Sequence, residues 1–283
     1  MKLAAQDLSF GYAGKPVGKG VSLTVEAGQI LCVLGANGSG KTTLFKTLLG
    51  LLKPRGGDIT LDDESVLTWP RRRLAQTMAY VPQAHADYFP FTVLDTVLMG
   101  RAAHMNLFAV PSQRDREAAL TALHTLRIAE LQDEPYAEIS GGQRQLVLIA
   151  RALAQEAKIL IMDEPTASLD FGNRVRLLEY IRLLACEGMG IIFSTHDPHQ
   201  ALARADTVAL LHAGQLLQHG APDAVVTREN MRLIYGVDVD LFGAPHSSRQ
   251  VRIASRDCGT TRALQRGDAL KPGTARPGES SGV

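Results

Sequence analysis

Cysteine is scarce in this chain of 283 residues: there are three, at positions 32, 186 and 258, widely separated and without metal-ligand spacing. An odd, scattered set of this kind argues against a disulfide framework and against a zinc site, and fits a reducing cytosol. Charge imbalance is also lacking. Lys and Arg number 30 against 29 Asp and Glu, a formal net charge of +1, so no broad basic surface draws the chain towards nucleic acid or lipid headgroups. Long apolar runs are missing too. The first residues, Met1-Lys2-Leu3-Ala4-Ala5-Gln6-Asp7, carry no apolar leader, and no later run approaches the roughly 18 apolar residues that a membrane span requires. The expectation is a protein that meets a membrane only through a partner. With 45% hydrophobic residues, the chain can bury one large core or two modest ones.

What the chain does have is a glycine-rich stretch of strict spacing. Gly35-Ala36-Asn37-Gly38-Ser39-Gly40-Lys41-Thr42-Thr43 meets the pattern G-x-x-x-x-G-K-[ST] of a phosphate-binding loop. Before it, Gln29 to Leu34 is a short, buried-looking strand; after it, Leu44, Leu48 and Leu49 recur at helical spacing until Gly50. A glycine-rich turn with a surface lysine is the bland alternative, but the order strand, loop, helix directs loop N–H groups and a helix N-terminus at one spot, where phosphate is favoured. Lys41 can then reach the β and γ phosphates of a nucleotide, and the Thr42 hydroxyl is placed to ligate Mg²⁺.

In chain order, residues 3–34 alternate apolar and polar around glycine turns, including Gly18-Lys19-Gly20, and read as short β-structure. Tyr12 within them offers a ring that can stack on a base, although packing is the commoner role of such a tyrosine. A turn and strand cover Lys53 to Asp63. Arg71-Arg72-Arg73 is most simply a solvated face, and a strand Met78 to Gln83 follows. Helical composition runs from Thr92 to Ala154, with a helix beginning near Arg144. Ile159-Leu160-Ile161-Met162 is an apolar run ending in Asp163-Glu164, and Gly190 to Thr195 is another, ending in His196. In an α/β sheet both ends emerge at the carboxyl edge that also holds the phosphate loop. Beyond Gly243, seven basic residues stand against three acidic ones among Gly, Ser and Pro, so a disordered tail is expected.

Glu138-Ile139-Ser140-Gly141-Gly142-Gln143-Arg144-Gln145 adds a second anion-binding helix entrance. With it, residues 2 to about 241 resemble the nucleotide-binding subunit of ATP-binding cassette (ABC) transporters. The resemblance implies an α/β fold: a P-loop NTPase core with a mainly parallel sheet, an N-terminal antiparallel β-subdomain and an α-helical subdomain at about 84–150, within a domain spanning 1–243. It implies ATP as substrate and Mg²⁺ as cofactor. Tyr12 is similar to the adenine-stacking aromatic, Gly35 to Thr43 to the Walker A loop, Gln83 to the Q-loop glutamine that touches Mg²⁺, and Asp163 to the Walker B aspartate. Glu164 resembles the catalytic glutamate, Ser168-Leu169-Asp170 the D-loop and His196 the switch histidine. Ser140, Gly141, Gly142 and Gln143 match the signature, with Ile139 where leucine is usual.

Implied partners are a second copy of the chain, closing an ATP sandwich head to tail, integral permease subunits and, indirectly, a substrate-binding protein, with no nucleic acid. The implied location is peripheral, on the cytoplasmic face of the cytoplasmic membrane. Tyr88 to Asp95, Val97 to Arg101, Ala167 to Asn173 and Thr195 to Pro198 are similar to importers of ferric siderophores, haem, cobalamin and molybdate. Soluble ABC proteins fit less well. Translation factors of the type usually carry two cassettes, chromosome ATPases need long coiled coils for which the stretch between Lys41 and Ser140 leaves no room, and a purely regulatory nucleotide binder would lack Glu164 and His196.

Overall fold

Every residue of Ile30–Leu34, the strand β3, is buried, because it is the inner strand of a sheet covered on both faces. The computed structural model describes residues 1–83, 90–106 and 109–236. These lie within one unit, Met1–Leu241; the expected tail, like Phe89, lies outside the described residues.

Two long strands, β1 (Lys2–Tyr12) and β2 (Lys15–Glu26), precede β3. They pair antiparallel, and with β4 (Gly56–Leu61) and β5 (Glu64–Ser65) they form a four-stranded sheet in the order β2-β1-β4-β5. Short β-structure was the expectation; 11 and 12 residues are observed. Gly18-Lys19-Gly20 is no turn but lies inside β2, where the β1–β2 register shifts. A Cβ on Gly18 would stand 2.2 Å from the Phe10 ring, so this glycine is required for close packing rather than for chain reversal.

The second sheet runs β10-β9-β3-β8-β7-β6, with β6 (Met78–Val81), β7 (Ile159–Met162), β8 (Gly190–Thr195) and β9 (Thr207–His212) parallel to β3, and β10 (Gln215–Gly220) antiparallel at the edge. Alternation along β3 divides its side chains between two cores. Leu31 and Val33 face the antiparallel sheet and α1 (Lys41–Leu48), packing with Leu3, Phe10, Leu44 and Phe45. Ile30, Cys32 and Leu34 face the helical side, built from α3 (Val93–Leu98), α4 (Gln113–Thr125), α5 (Gly141–Ala154), α6 (Phe171–Cys186) and α7 (Pro198–Arg204). Burial pushes the Cys32 thiol far up from its ordinary pKa, so it is a packing group rather than a nucleophile.

Helix starts follow local rules. Thr92, Ser112 and Ser140 each accept a bond from the backbone N–H three residues on and receive a side chain in return, a capping box. One helix was not anticipated. Arg71-Arg72-Arg73 opens α2 (Arg71–Thr77), which follows the extended Pro70. Its arginines are committed rather than simply solvated: Arg73 pairs with Glu64 and lies 3.4 Å over the Trp69 ring, while Arg72 donates to the Ala103 and His104 carbonyls. Two short helices, α8 (Pro222–Val225) and α9 (Arg228–Tyr235), close the described chain. Among the described residues, no helix is long and apolar enough to cross a membrane.

Candidate active site

Strands β3, β7 and β8 end side by side because they pair in parallel with Leu34 opposite Thr195 and Met162 opposite Phe193. The residues just past those ends therefore meet. After β3, residues 35–40 form a loop in which Gly38 and Gly40 take φ of 80° and 105°, conformations that cost glycine nothing. Lys41, 5% exposed, folds back over that loop and donates to the carbonyls of Gly35 (2.8 Å) and Ala36 (3.1 Å). Its Nζ also stands 3.3 Å from Glu164 Oε1.

Thr42 donates to Asp163 Oδ2 at 2.5 Å, and Ser194, the penultimate residue of β8, donates to Asp163 Oδ1 at 2.7 Å. The same Ser194 oxygen accepts the Glu164 backbone N–H at 2.9 Å. Glu164 itself has φ of 46°, a left-handed backbone that costs a non-glycine residue roughly 1–3 kcal/mol. Its other carboxylate oxygen, Oε2, lies 3.1 Å from His196 Nδ1. One carboxylate is thus held between a buried ammonium and an exposed imidazole, at the mouth of a small cavity lined by Thr166, Arg174, Thr195, His196 and Gln200.

Ser194 escaped the sequence reading. The only signal was a hydroxyl residue in the otherwise apolar run Ile191-Ile192-Phe193, and only the sheet register brings it to Asp163.

The remaining predicted residues fall elsewhere. Tyr12 ends β1 and is 44% exposed. Gln83 is exposed two residues beyond β6, outside the hydrogen-bonded group. Ser140 is the N-cap of α5, which starts at Gly141 rather than near Arg144. Its oxygen accepts from the Gln143 N–H (3.3 Å) while Gln143 Oε1 accepts from the Ser140 N–H (2.8 Å). Gly141 and Gly142 form the first turn; a Cβ on Gly142 would lie 3.5 Å from Leu169. Asp170 caps α6 through the Asn173 N–H at 2.8 Å.

The donor set can be tested against a magnesium nucleotide. Among the described residues, no group of three or more His, Cys, Asp or Glu could hold a metal by itself. Thr42 Oγ1 and Asp163 offer hard oxygens side by side, the pairing that suits a cation completing its shell with phosphate and water. Ser39 Oγ, in the loop, is buried without a hydrogen-bond partner among the described residues, as a donor reserved for a phosphate oxygen would be. The residues fit.

Comparison with known proteins agrees in kind. A family model described as ABC transporter matches residues 18–167. An ABC transporter ATP-binding protein of Haemophilus influenzae, itself uncharacterized, is 47% identical over 242 residues, which is 86% of this chain and 92% of that protein. A probable iron chelatin transport ATP-binding protein of Helicobacter pylori is 35% identical over 253 residues, covering 89% and 98%. Among solved structures, an inward-facing ABC transporter assigned to the metal-chelate type superposes with a TM-score of 0.74 at 35% identity, over 83% of this chain and 89% of that one.

Proposed function

This chain belongs to the ABC transporter ATP-binding family, whose members bind ATP and hydrolyse it to energise transport, and from that premise we propose that it drives an importer of ferric siderophores or related metal chelates. The convergence of Lys41, Thr42, Asp163, Glu164 and His196 at one sheet edge carries the reading of the site.

Transfer of a phosphoryl group to water needs an aligned nucleophile and neutralised charge rather than a covalent intermediate. Glu164 is the residue that orients and polarises the attacking water; its backbone, pinned through Ser194, fixes where the carboxylate stands. His196, beside it, holds the water against the γ-phosphate. Lys41, released from the Gly35 and Ala36 carbonyls, takes phosphate oxygens instead. Thr42 and Asp163 are the groups that would hold Mg²⁺, aided by Gln83; that ion, when bound, supplies charge neutralisation at the phosphates. Gly35 to Thr43 cradle the phosphates, and Tyr12, free enough to accept a base, stacks on the adenine.

Ser140, Gly141, Gly142 and Gln143, with Asp170, then serve the nucleotide of a second copy, so two chains close head to tail on two ATP molecules. Permease contact falls to the helical side. A cleft of about 390 Å³ where that side meets α2 and the end of α1 is lined by Leu49, Leu51, Arg71, Tyr80, Met99 and Arg151, and Leu51 and Met99 remain 54% and 43% exposed, as apolar groups awaiting a permease helix would be. Phe91, 41% exposed, extends the same role. The working place is then the cytoplasmic face of the cytoplasmic membrane.

The cargo is drawn from the relatives named for iron chelate and metal chelate. Reconstitution with its permease and binding protein provides the test: a ferric siderophore should stimulate ATP hydrolysis. Stimulation by haem, cobalamin or molybdate instead would reassign the cargo while leaving the ATPase reading intact.

A further inference from the structure

The segment carrying His196 is held on both flanks by one buried side chain. Gln200, 7% exposed, receives the hydroxyls of Thr166 (2.9 Å) and Thr195 (3.3 Å) on Oε1 and donates from Nε2 to Asp197 (3.3 Å). The Asp197 N–H in turn donates to Thr195 Oγ1 at 3.0 Å. These bonds fix residues 195 and 197. They engage only the N–H side of the His196–Asp197 peptide, through Thr195, and leave its carbonyl and the half-exposed His196 side chain to other partners.

That carbonyl is reached from another part of the chain. The Tyr235 hydroxyl donates to the His196 carbonyl at 2.6 Å, across 39 positions of sequence. Tyr235 is the last residue of α9, and the helix is fixed at both ends: Thr227 caps its start by accepting from the Asn230 N–H, and Gly236, at φ 71°, closes it with an N–H to the Arg232 carbonyl. Met231 and Ile234 bury its inner face, so the hydroxyl is presented from a rigid support. Burial, with Asp197 and Glu164 nearby, pushes the phenol up to about 12, and it remains a donor at any working pH.

We infer that Tyr235 is a positioning residue for ATP hydrolysis: by gripping the His196 carbonyl it sets the peptide from which the imidazole reaches to 3.1 Å from the Glu164 carboxylate. The physical reason is leverage. An imidazole on a peptide held at its N–H side alone samples more orientations than one held on both sides, and small misplacements of a group that aligns a reacting water cost turnover while leaving nucleotide affinity alone. Through this oxygen α9 acts on the site. The inference rests on the roles proposed above for His196 and Glu164.

Tyr235→Phe removes one oxygen and keeps the ring in its packing. In the full-length protein, kcat for ATP is expected to fall about tenfold, with KM for ATP changed less than about twofold and the melting temperature unmoved. An unchanged kcat would overturn the inference. So would a kcat loss accompanied by a matching rise in KM, which would place Tyr235 in nucleotide binding, or by a clear drop in melting temperature, which would make the bond merely structural. His196→Ala, assayed alongside, separates the two levels. If it turns over normally, the reading of His196 fails and this inference with it; if it is inactive while Tyr235→Phe is normal, the inference alone fails.

Discussion

Ser194 donates a hydrogen bond to Asp163 at 2.7 Å while both residues are buried, at 0% and 5% exposure. Since the same oxygen takes the Glu164 N–H, one hydroxyl sets the position of both acidic residues. Ser194→Ala therefore strips a hydrogen bond from a buried carboxylate and orphans a backbone donor. The expected outcome is a loss of about 1–3 kcal/mol in stability and a fall in kcat larger than any change in KM for ATP. Urea unfolding and steady-state kinetics on the one variant would measure both; wild-type turnover would show that Glu164 needs no such anchor.

Glu164→Gln keeps the shape of the side chain but cannot polarise water as a carboxylate does. Turnover should drop by about 10²–10⁴ while ATP binding persists, and binding should be read by equilibrium titration rather than inferred from rate. Near-normal steady-state hydrolysis would remove Glu164 from its role.

A shared site makes a prediction that single variants cannot. Lys41→Ala and Ser140→Arg homodimers should each be inactive, yet mixing them creates heterodimers with one site intact and should restore measurable hydrolysis. Because Ser140 also caps α5, the arginine variant is expected to lose about 1 kcal/mol of stability, so its folding is to be checked by circular dichroism before mixing. With heterodimers shown to form, the absence of recovery would argue against the sandwich or show that one intact site is insufficient. Locating bound ATP in a Glu164→Gln dimer decides between the two.

Acid should loosen the helical side at a defined point. Arg101, 3% exposed, pairs with Asp115 at 3.0 Å and Glu156 at 2.7 Å and donates to the Ala154 carbonyl. Hydrogen bonds from Ser112 and from Arg101 hold the Asp115 carboxyl down at about 2, against 3.8 for a free one. A depressed carboxyl stabilises the fold fully above its unfolded pKa, and that stabilisation is lost as pH falls towards the folded value. Urea midpoints should therefore decline between about pH 4 and pH 2 in the wild type, and less steeply in Asp115→Asn. Identical slopes would show that other carboxylates carry the acid limb.

Much of the site was legible because its residues sit in sequence where strands stop. Lys41 and Thr42 follow an apolar run and a glycine loop, Asp163 and Glu164 follow Ile159-Leu160-Ile161-Met162, and His196 follows β8. What was not legible depends on neighbours distant in sequence. Ser194 reads as one small residue in a buried strand until the β7–β8 register is known. Arg71-Arg72-Arg73 reads as a charged surface because Glu64, Trp69 and the Ala103 carbonyl that occupy those arginines are set by tertiary packing. By contrast, the capping of α5 was spelled out locally in Ser140-x-x-Gln143, and the anion-binding reading of that stretch passed over it.

The pairing of β3 bears on how the chain is made. Its hydrogen-bonded neighbours, β8 and β9, are both C-terminal to it, and the nearer begins roughly 160 residues downstream, which at ordinary elongation rates leaves the strand unpartnered for about 10–30 s on the ribosome. Five consecutive apolar residues waiting that long are an aggregation hazard. The antiparallel sheet, complete by Ser65, can already cover Leu31 and Val33. It is then a shield in biosynthesis before it is a wall of the finished core, and substitutions in the core it shares with β3, such as at Phe10 or Leu23, should lower soluble yield more than their effect on the folded protein's stability would suggest.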